Sequence, residues 1–316
     1  MRFKIAAVLF ACALSFCGAE VPEDLPPAGA FGPVKVAAFN VQCPFCNMEF
    51  LWPFRLLVMR EIFAFHQPDL IAAQELMSDY DAGHFSEVLP DTAYTRVCRG
   101  FCDSAVYFRT DRFEMLDDGS IHLTLWPPRK ALWVLLRDRG SDQTFLFVST
   151  HFDNHQPNQS KSARTSLKRL EPWMQRGIPV IYAGDFNSSP TGRATVKNGD
   201  RAASSEGYAI LARRFQNAFE LAPDCGIYSN HPDPATNAFR FSESIDHIFL
   251  GAPADAGWVV RDWSVDYRWF RDPRAPRVYY PSDHWPVFAT LEYRPGDSPL
   301  FDRQTTADTC EIRSLP

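Results

Sequence analysis

The sequence of 316 residues lacks several features that would assign it to a common class of protein. After residue 19 it has no apolar run long enough to cross a bilayer, and it contains no internal repeat or low-complexity block. It also lacks the phosphate-binding pattern G-x-x-x-x-G-K and a serine in a nucleophile elbow. Its net charge of −6 excludes a global positive field that would attract nucleic acid, although a local patch or a bound cation can supply such charge.

The N-terminal segment has the three parts of a secretory signal peptide. Arg2 and Lys4 precede the short apolar run IAAVLFACALSFC, and small residues follow as far as Ala19. We therefore expect a signal peptide at residues 1–19, cleavage near Ala19 and a mature protein that is secreted or periplasmic. A proline-rich leader at residues 20–33 would come next.

Cleavage would leave an even number of cysteines, which in an oxidising compartment predicts disulfides. The C-x-x-C spacing of Cys43 and Cys46 is also compatible with zinc or redox chemistry, but the lack of a second such pair argues against zinc. Cys98 and Cys102 would close a small loop. Two more distant cysteines are candidates to hold the C-terminal tail, although the sequence does not fix the pairing. These two are Cys225 and Cys310.

Composition and pattern predict one large α+β domain, because 46% of the residues are hydrophobic and 14% are aromatic. Helical spacing occurs at residues 52–66, at 162–177, where Gly177 would end the helix, and near 206–215. Strand-like runs are more numerous and include SAVYFRTDRFEML and ALWVLLRD, with the turn-rich segment DDGS between them. Many strands and few helices indicate two packed sheets with helices outside.

Polar side chains interrupt or end six of these apolar strands. A single Asn or Asp at a strand end is usually a turn former, and an Asp beside a His is often a buried structural pair. No cap or turn, however, requires a carboxylate or an imidazole at all six positions. The residues are Asn40, Glu75, His151 with Asp153 and Asn154, Asp185 with Asn187, Asp246 with His247, and Ser282 with Asp283 and His284.

This set of side chains suits metal-assisted hydrolysis of a phosphate ester. Asn40 and Glu75 offer hard oxygen ligands of the kind that Mg²⁺ or Mn²⁺ accepts, and too few Cys or His are clustered for a zinc centre. His151 and His284 can hydrogen-bond phosphate oxygens. Asp185 can take a proton from water.

Six segments in a fixed order make the chain resemble the endonuclease/exonuclease/phosphatase superfamily, which includes deoxyribonuclease I, exonuclease III-like repair nucleases, neutral sphingomyelinases and inositol-polyphosphate 5-phosphatases. The segments are AAFNV, LIAAQEL, STHFDN, AGDFNSSP, SIDHIFL and PSDHWPVFATL. The resemblance implies a domain at residues 34–294, followed by a C-terminal tail at 295–316. It also implies a four-layer α/β/β/α sandwich, with two packed β-sheets flanked by helices.

The resemblance implies a divalent metal as cofactor. Glu75 would hold it with help from Asn40, and Asp283 is a further candidate ligand. The metal is usually Mg²⁺ in this superfamily, with Mn²⁺ or Ca²⁺ as alternatives.

The resemblance also implies roles for the catalytic side chains. Asp185 would align and deprotonate the attacking water, and Asn187 would bind the phosphate or its transition state. His284, backed by Asp246, would stabilise the charge that develops on the phosphate. His151 would contact the phosphate or assist the leaving group.

Four further residues are candidates for substrate binding. Asn154 ends the third segment and Arg164 follows it, where the alternative is that these residues and Asp153 order a loop and cap a helix. Arg271 and Arg274 belong to a basic, aromatic stretch before the last segment, where the alternative is a surface cover with paired arginines.

The sequence therefore predicts a secreted, divalent-metal-dependent phosphoesterase that acts as a monomer. A nuclease or phosphodiesterase is favoured, because GDFN followed by SSP is nuclease-like and the 5-phosphatase segment Trp-Thr-Asp-Arg is missing. A phospholipid or inositol-phosphate headgroup hydrolase is the alternative, since the superfamily shares its catalytic residues. A non-catalytic binding protein is disfavoured, because the whole metal and base set is present.

Overall fold

The computed structural model describes residues 21–22, 25–46, 51–89, 94–100, 102–126, 128–196, 199–202, 204–230, 241–254, 256–271, 278–296 and 310–315. The predicted signal peptide lies outside these residues. No helix within the described ranges is both long and apolar enough to cross a membrane.

The larger sheet has eight strands in the order β18-β12-β14-β17-β1-β2-β4-β3. Its strands are β1 (Phe31–Asn40), β2 (Leu70–Gln74), β3 (Tyr94–Val97), β4 (Ser104–Arg109), β12 (Cys225–Ser229), β14 (Ala256–Asp266), β17 (Val287–Pro295) and β18 (Glu311–Ser314). β1 and β2 are parallel neighbours, and β17 pairs antiparallel with β1. The segment predicted as a C-terminal tail thus supplies an edge strand, because β18 pairs with β12.

The smaller sheet has six strands in the order β11-β13-β8-β7-β6-β5. Its strands are β5 (Phe113–Leu125), β6 (Pro128–Asp138), β7 (Gln143–His151), β8 (Val180–Asp185), β11 (Gln216–Asn217) and β13 (Asp246–Gly251). β7 and β8 are parallel, and β13 runs antiparallel to β8. Two short antiparallel pairs complete the strands: β9 (Arg193–Val196) with β10 (Gly199–Ala202), and β15 (Phe270–Arg271) with β16 (Val278–Tyr279).

The helices lie outside the sheets. They are α1 (Trp52–His66), α2 (Asp79–Ser86), α3 (Gln156–Gln175), α4 (Ser205–Leu211) and α5 (Ala218–Leu221), with a 3₁₀ turn at Phe241–Glu243. α1 has the predicted bounds, and its Pro53 occupies the first turn, where proline removes no helical hydrogen bond.

Alternation of side chains along β1 separates two cores. Val36 and Ala38 pack in the core shared with the smaller sheet, whereas Ala37 and Phe39 pack in the core that contains α1 and α2 residues. The two sheets meet face to face, as in the stacking of Phe31 on Phe145 at 5.0 Å between ring centroids. The order of layers is helices, larger sheet, smaller sheet and helices, which confirms the predicted α/β/β/α sandwich.

Three disulfides confirm the prediction that the cysteines pair. Cys43–Cys46 and Cys98–Cys102 close short loops with sequence separations of 3 and 4. The third, between residues 225 and 310, has a separation of 85 and ties the C-terminal segment to β12.

Three predicted elements differ from the structure. DDGS is not a turn but lies within β5, where Gly119 pairs with Trp133 and a side chain at Gly119 would meet the indole ring at 2.5 Å. α3 begins at Gln156 rather than at residue 162, because Pro157 is accommodated in its first turn. α4 ends at Leu211 rather than near residue 215, because the chain turns there and buries Phe215.

Candidate active site

The six polar positions meet at one edge of the sandwich. Asn40 pairs with Gln74 at the carboxyl ends of the parallel strands β1 and β2, so Glu75 follows directly. In the smaller sheet Asp185 lies between His151 on β7 and Asp246 on β13. Because parallel strands end at the same edge of a sheet, and because the two sheets face each other, residues far apart in sequence become neighbours.

Glu75 is held in a constrained position beside Asn40. Its φ of 63° is in the left-handed region, which costs a non-glycine residue about 1 kcal/mol or more. Its carboxylate accepts hydrogen bonds from the Asn40 side-chain amide at 3.0 Å and from the Cys43 backbone N–H at 3.0 Å. The Asn40 amide also donates to Asp185 Oδ2 at 3.1 Å, so Asn40 bridges the two carboxylates. The side-chain oxygen of Asn40, which is the atom predicted to bind the metal, accepts from the Gln42 backbone N–H and so is turned away from Glu75.

The structure explains why glycine, aspartate and asparagine stand at their positions in the segment GDFN. Gly184 has φ of 143°, and a side chain there would lie 2.1 Å from the Thr150 carbonyl of β7. The Asp185 carboxylate accepts from the Asn187 backbone N–H at 2.8 Å and from its amide at 3.3 Å. Asn187 has φ of 46°, and its amide also donates to the Phe152 carbonyl at 3.0 Å. Asn187 therefore fixes Asp185, and its predicted contact with phosphate stays a prediction.

An ion pair between His284 and Asp246 lies on one side of Asp185. His284 Nδ1 is 2.7 Å from Asp246 Oδ2, and His284 Nε2 is 3.7 Å from Asp185 Oδ2. Burial opposes protonation of His284, but the Asp246 and Asp185 carboxylates raise its pKa to about 10. Burial raises the pKa of Asp246 to about 6, even though the charge of His284 acts against this. At neutral pH His284 is therefore an imidazolium with its Nε2–H directed to the site.

His151 forms a second ion pair on the other side of Asp185. Its Nε2 is 3.4 Å from Asp185 Oδ2, and its Nδ1 is 2.9 Å from Asp103 Oδ1. Burial lowers the pKa of His151, but the charges of Asp103 and Asp185 outweigh this effect and raise it. Arg129 binds Asp103 at 2.5 Å and lies 2.9 Å from His151 Nδ1. Although burial alone would raise it, His151 and Arg129 lower the pKa of Asp103 to about 2.

Asp185 is thus a buried carboxylate between the imidazolium of His284 and the imidazole ring of His151. Burial would raise its pKa, but the charges of His284 and His151 lower it. A carboxylate of this kind accepts hydrogen bonds strongly and remains ionised, which suits the orientation of a water molecule.

Two functional features were missed by sequence reasoning. Asp103 and Arg129 were not selected, although Asp103 directly precedes β4 and so repeats the pattern of a polar residue at a strand end. Arg55 lies on α1 with no exposed surface, and its guanidinium donates to the carbonyls of Val41, Gln42, Cys43 and Pro281. These carbonyls belong to the two loops that carry Asn40 and His284, so Arg55 joins both sides of the site.

The model of the endonuclease/exonuclease/phosphatase family matches residues 37–284 of this chain. The chain belongs to this family. Members of this superfamily act on phosphoester bonds and generally depend on a divalent metal.

Individual relatives of the family extend the comparison. Nocturnin of Mus musculus is 24% identical over 287 residues, which cover 83% of this chain and 63% of nocturnin, so the chain spans about three fifths of that relative's length. A mannosyl-6-phosphatase from Bacteroides thetaiotaomicron has a TM-score of 0.63 and 23% identity over 82% of this chain and 99% of that one. TDP2 of D. rerio, solved with a single-strand DNA product, has a TM-score of 0.59 and 17% identity over 82% of this chain and 98% of that one.

The donor set fits the hard divalent cation that the family generally uses. Glu75 is the partly exposed carboxylate, with its side chain 26% accessible, and each of its oxygens accepts one hydrogen bond and retains a free lone pair. A second group of possible donors, Asp185, Asp246 and His284, has ligand atoms within 4.8 Å of one another. His284 is protonated there and has no lone pair to offer, although Asp246 Oδ1 is buried without a hydrogen-bond partner among the described residues. Of the two groups, Glu75 is therefore the better suited to hold a divalent cation.

The remaining predicted residues lie elsewhere. Asp283 is exposed beside Ser282 and contacts none of the other carboxylates. Asn154 is exposed in the turn before α3, where Asp153 accepts from the His155 N–H and the Asn158 side-chain amide. These bonds order the loop, but no side chain caps the first turn of α3.

The predicted substrate arginines are not brought to the site by the described structure. Arg164 pairs with Glu206 at 2.5 Å on the surface of α3 and α4, and its predicted contact with substrate stays a prediction. Arg274 and the side chain of Arg271 lie outside the described residues. In the same stretch Trp263 and Tyr267 are core residues, so much of the stretch is a structural cover.

Proposed function

We propose that this protein is a secreted, divalent-metal-dependent phosphodiesterase whose favoured substrate is nucleic acid. One observation carries the proposal: two histidines, each backed by an aspartate, converge on a single carboxylate oxygen. His151 and His284 lie 3.4 and 3.7 Å from Asp185 Oδ2. This arrangement offers one group to orient water and two imidazole N–H donors for phosphate oxygens.

The metal would be held by Glu75, with Asn40 beside it. When bound, Mg²⁺ or Mn²⁺ would supply positive charge to a phosphate oxygen and would acidify a coordinated water. The other functions belong to the side chains of the chain itself.

Asp185 would orient the attacking water and accept its proton. Because the pKa of Asp185 is lowered, it is a weak base towards free water. Proton transfer would therefore occur late, when attack on phosphorus has already made the water acidic. Asn187 would keep the carboxylate in line for this role through its backbone N–H.

His284 and His151 would neutralise the charge that develops on the phosphoryl group. The raised pKa of His284, about 10, keeps the proton on the enzyme, which suits a hydrogen-bond donor to a phosphate oxygen. His151 would give a proton to the departing oxygen, while Asp103 and Arg129 hold its ring. The new P–O bond comes from water, and the bond to the leaving oxygen breaks.

Secretion is supported by two independent features. The N-terminal 19 residues have the pattern of a signal peptide, and all six remaining cysteines form disulfides, as expected for an oxidising compartment. N-terminal sequencing of the exported protein should find a start near residue 20.

A second candidate is hydrolysis of a phosphate carried by a sugar, an inositol or a phospholipid headgroup. It is favoured by the similarity in fold to the mannosyl-6-phosphatase, just as the TDP2 structure with DNA favours the nuclease. The same site chemistry serves both candidates, so substrate choice must come from surrounding residues.

A metal-dependent activity panel tests the proposal. Purified mature protein would be assayed with plasmid DNA, RNA, sphingomyelin, phosphoinositides, mannose 6-phosphate and bis-p-nitrophenyl phosphate. We expect magnesium-dependent hydrolysis of nucleic acid, loss of activity in EDTA and recovery with Mg²⁺. Glu75→Gln should lower turnover at least about 100-fold, whereas Glu61→Gln on the exposed surface of α1 should not. Full activity in excess EDTA would refute metal dependence, and binding without turnover would favour the non-catalytic alternative.

A further inference from the structure

A pocket of about 140 Å³ lies next to the catalytic groups and is not used by the mechanism above. It lies where β4 of the larger sheet faces β5 and β6 of the smaller one. Its polar and apolar walls include Arg99, Asp103, Ser104, Ser120, Lys130 and Leu132.

The pocket is connected to the reaction centre by one side chain. Asp103 lines the pocket and also binds His151 Nδ1 at 2.9 Å, while the other ring nitrogen of His151 faces Asp185. Only the Asp103 carboxylate and the His151 ring would therefore separate a group bound in the pocket from the scissile phosphate. This separation suits a neighbouring part of the same substrate.

The shape of the pocket is fixed by the surrounding structure. Lys130 and Leu132 are two residues apart on β6, so their side chains point to the same face of the sheet. Ser120 pairs with Leu132 across the β5–β6 ladder. The Ser104 hydroxyl donates to the Lys130 carbonyl at 3.2 Å, which joins the two sheets at this point. The pocket is therefore formed by strands rather than by a loop that must close.

The charges of the pocket leave one cation unpaired. Asp103 is neutralised by His151 and Arg129, and Arg99 binds Asp118 at 2.6 Å. The Lys130 ammonium has no acidic partner within 4.0 Å among the described residues, whereas Arg99, the other basic residue that lines the pocket, is paired. An unpaired lysine beside a paired arginine favours an anionic ligand.

We propose that this pocket, through Lys130, binds a second phosphate of the substrate, separate from the phosphate that is hydrolysed. The proposal rests on the phosphoesterase function and adds a specificity determinant to it. Two substrate classes carry such a group: a nucleotide chain with a flanking phosphate and an inositol lipid with a ring phosphate. Lys130 would act in binding and not in the chemical step.

The test compares substrates that differ only in the second phosphate. Thymidine 5′-p-nitrophenyl phosphate would be compared with its 3′-phosphorylated form, and glycerophosphoinositol with glycerophosphoinositol 4-phosphate. We expect kcat/KM to be about tenfold higher for the substrate with the second phosphate in one pair, a difference of about 1.4 kcal/mol. The pair that shows it identifies the substrate class. Lys130→Gln should reduce this ratio to about 1, whereas Lys168→Gln, an equivalent change on the exposed face of α3, should leave it unaltered.

Equilibrium binding separates this proposal from the proposed function. Thymidine 3′,5′-bisphosphate and inositol 1,4-bisphosphate should each be titrated against the monophosphate in wild type and Lys130→Gln by calorimetry. A preference for one bisphosphate that the variant loses supports the pocket even if no substrate is turned over. Equal ratios in wild type and Lys130→Gln, in both turnover and binding, would overturn the proposal.

Discussion

Arg55 provides the most direct test of how the site is held together. Replacing it by methionine keeps most of the apolar stem but removes every donor. The guanidinium makes four hydrogen bonds of 2.9–3.1 Å to carbonyls of the loops after β1 and before β17. Its loss would leave the buried Val41 and Pro281 carbonyls without this donor, whereas the Cys43 carbonyl keeps the Cys46 N–H at 3.0 Å. Arg60 lies on the same helix and makes a single exposed contact of 3.3 Å to the Glu87 carbonyl.

The magnitude follows from two opposing effects. Each buried carbonyl left without a donor costs roughly 1 to 3 kcal/mol, so two of them cost about 2 kcal/mol at the lower limit. In the opposite direction, methionine removes the free-energy cost of burying a guanidinium. The same burial lowers the pKa of Arg55 to about 10. Removal of one partner from a buried charged network costs about 3 to 5 kcal/mol in comparable cases. We therefore expect Arg55→Met to lower the free energy of unfolding by about 3 kcal/mol.

Urea unfolding at 25 °C, followed by far-ultraviolet circular dichroism, measures this difference. Arg60→Met is the matched control and should change the free energy of unfolding by less than about 0.5 kcal/mol. Activity measured where Arg55→Met is still folded should also fall, since the loops that present Asn40 and His284 would no longer be joined. Equal unfolding free energies for the two variants would refute the role assigned to Arg55.

Three further predictions concern catalysis, covalent structure and pH. His284→Ala should lower kcat by at least about 100-fold, whereas His122→Ala on the exposed face of β5 should not, and a His284→Ala enzyme within a few-fold of wild type would mean that the phosphate lies elsewhere. Replacing Cys225 and Cys310 by serine should lower stability by about 4 kcal/mol in chemical denaturation, because their disulfide closes a separation of 85 residues. Burial lowers the pKa of His247 from 6.5 to about 4, so only the unfolded chain takes up this proton between those values. The stability that neutral His247 contributes is complete above pH 6.5, and about 3 kcal/mol of it is lost as the pH falls through 4. The difference in unfolding free energy between wild type and His247→Gln should show this loss, and a difference that does not depend on pH would refute the assignment.

Much of the fold could be predicted from local pattern. The helix at 52–66 was predicted with its observed bounds, because apolar spacing and a proline in the first turn both specify it. The start of α3 was predicted wrongly because Pro157 is accommodated in its first turn, whereas the end of α4 and the segment DDGS were predicted wrongly because tertiary contacts decided them. Gly119, for example, belongs to a strand because the Trp133 ring occupies the space where a side chain would be.

The sequence by itself determined which residue types stand at the strand ends, and hence the family and the class of reaction. Asn40, Asp185 and His284 could be selected because polar residues that interrupt buried strands need a reason other than packing. Only the tertiary structure decided which of them touch, since their contacts join strands of two sheets and residues up to 145 positions apart. The same cause kept Asp103, Arg129 and Arg55 out of the prediction: each is locally an ordinary charged residue, and its role arises only from the buried partners that the fold brings to it.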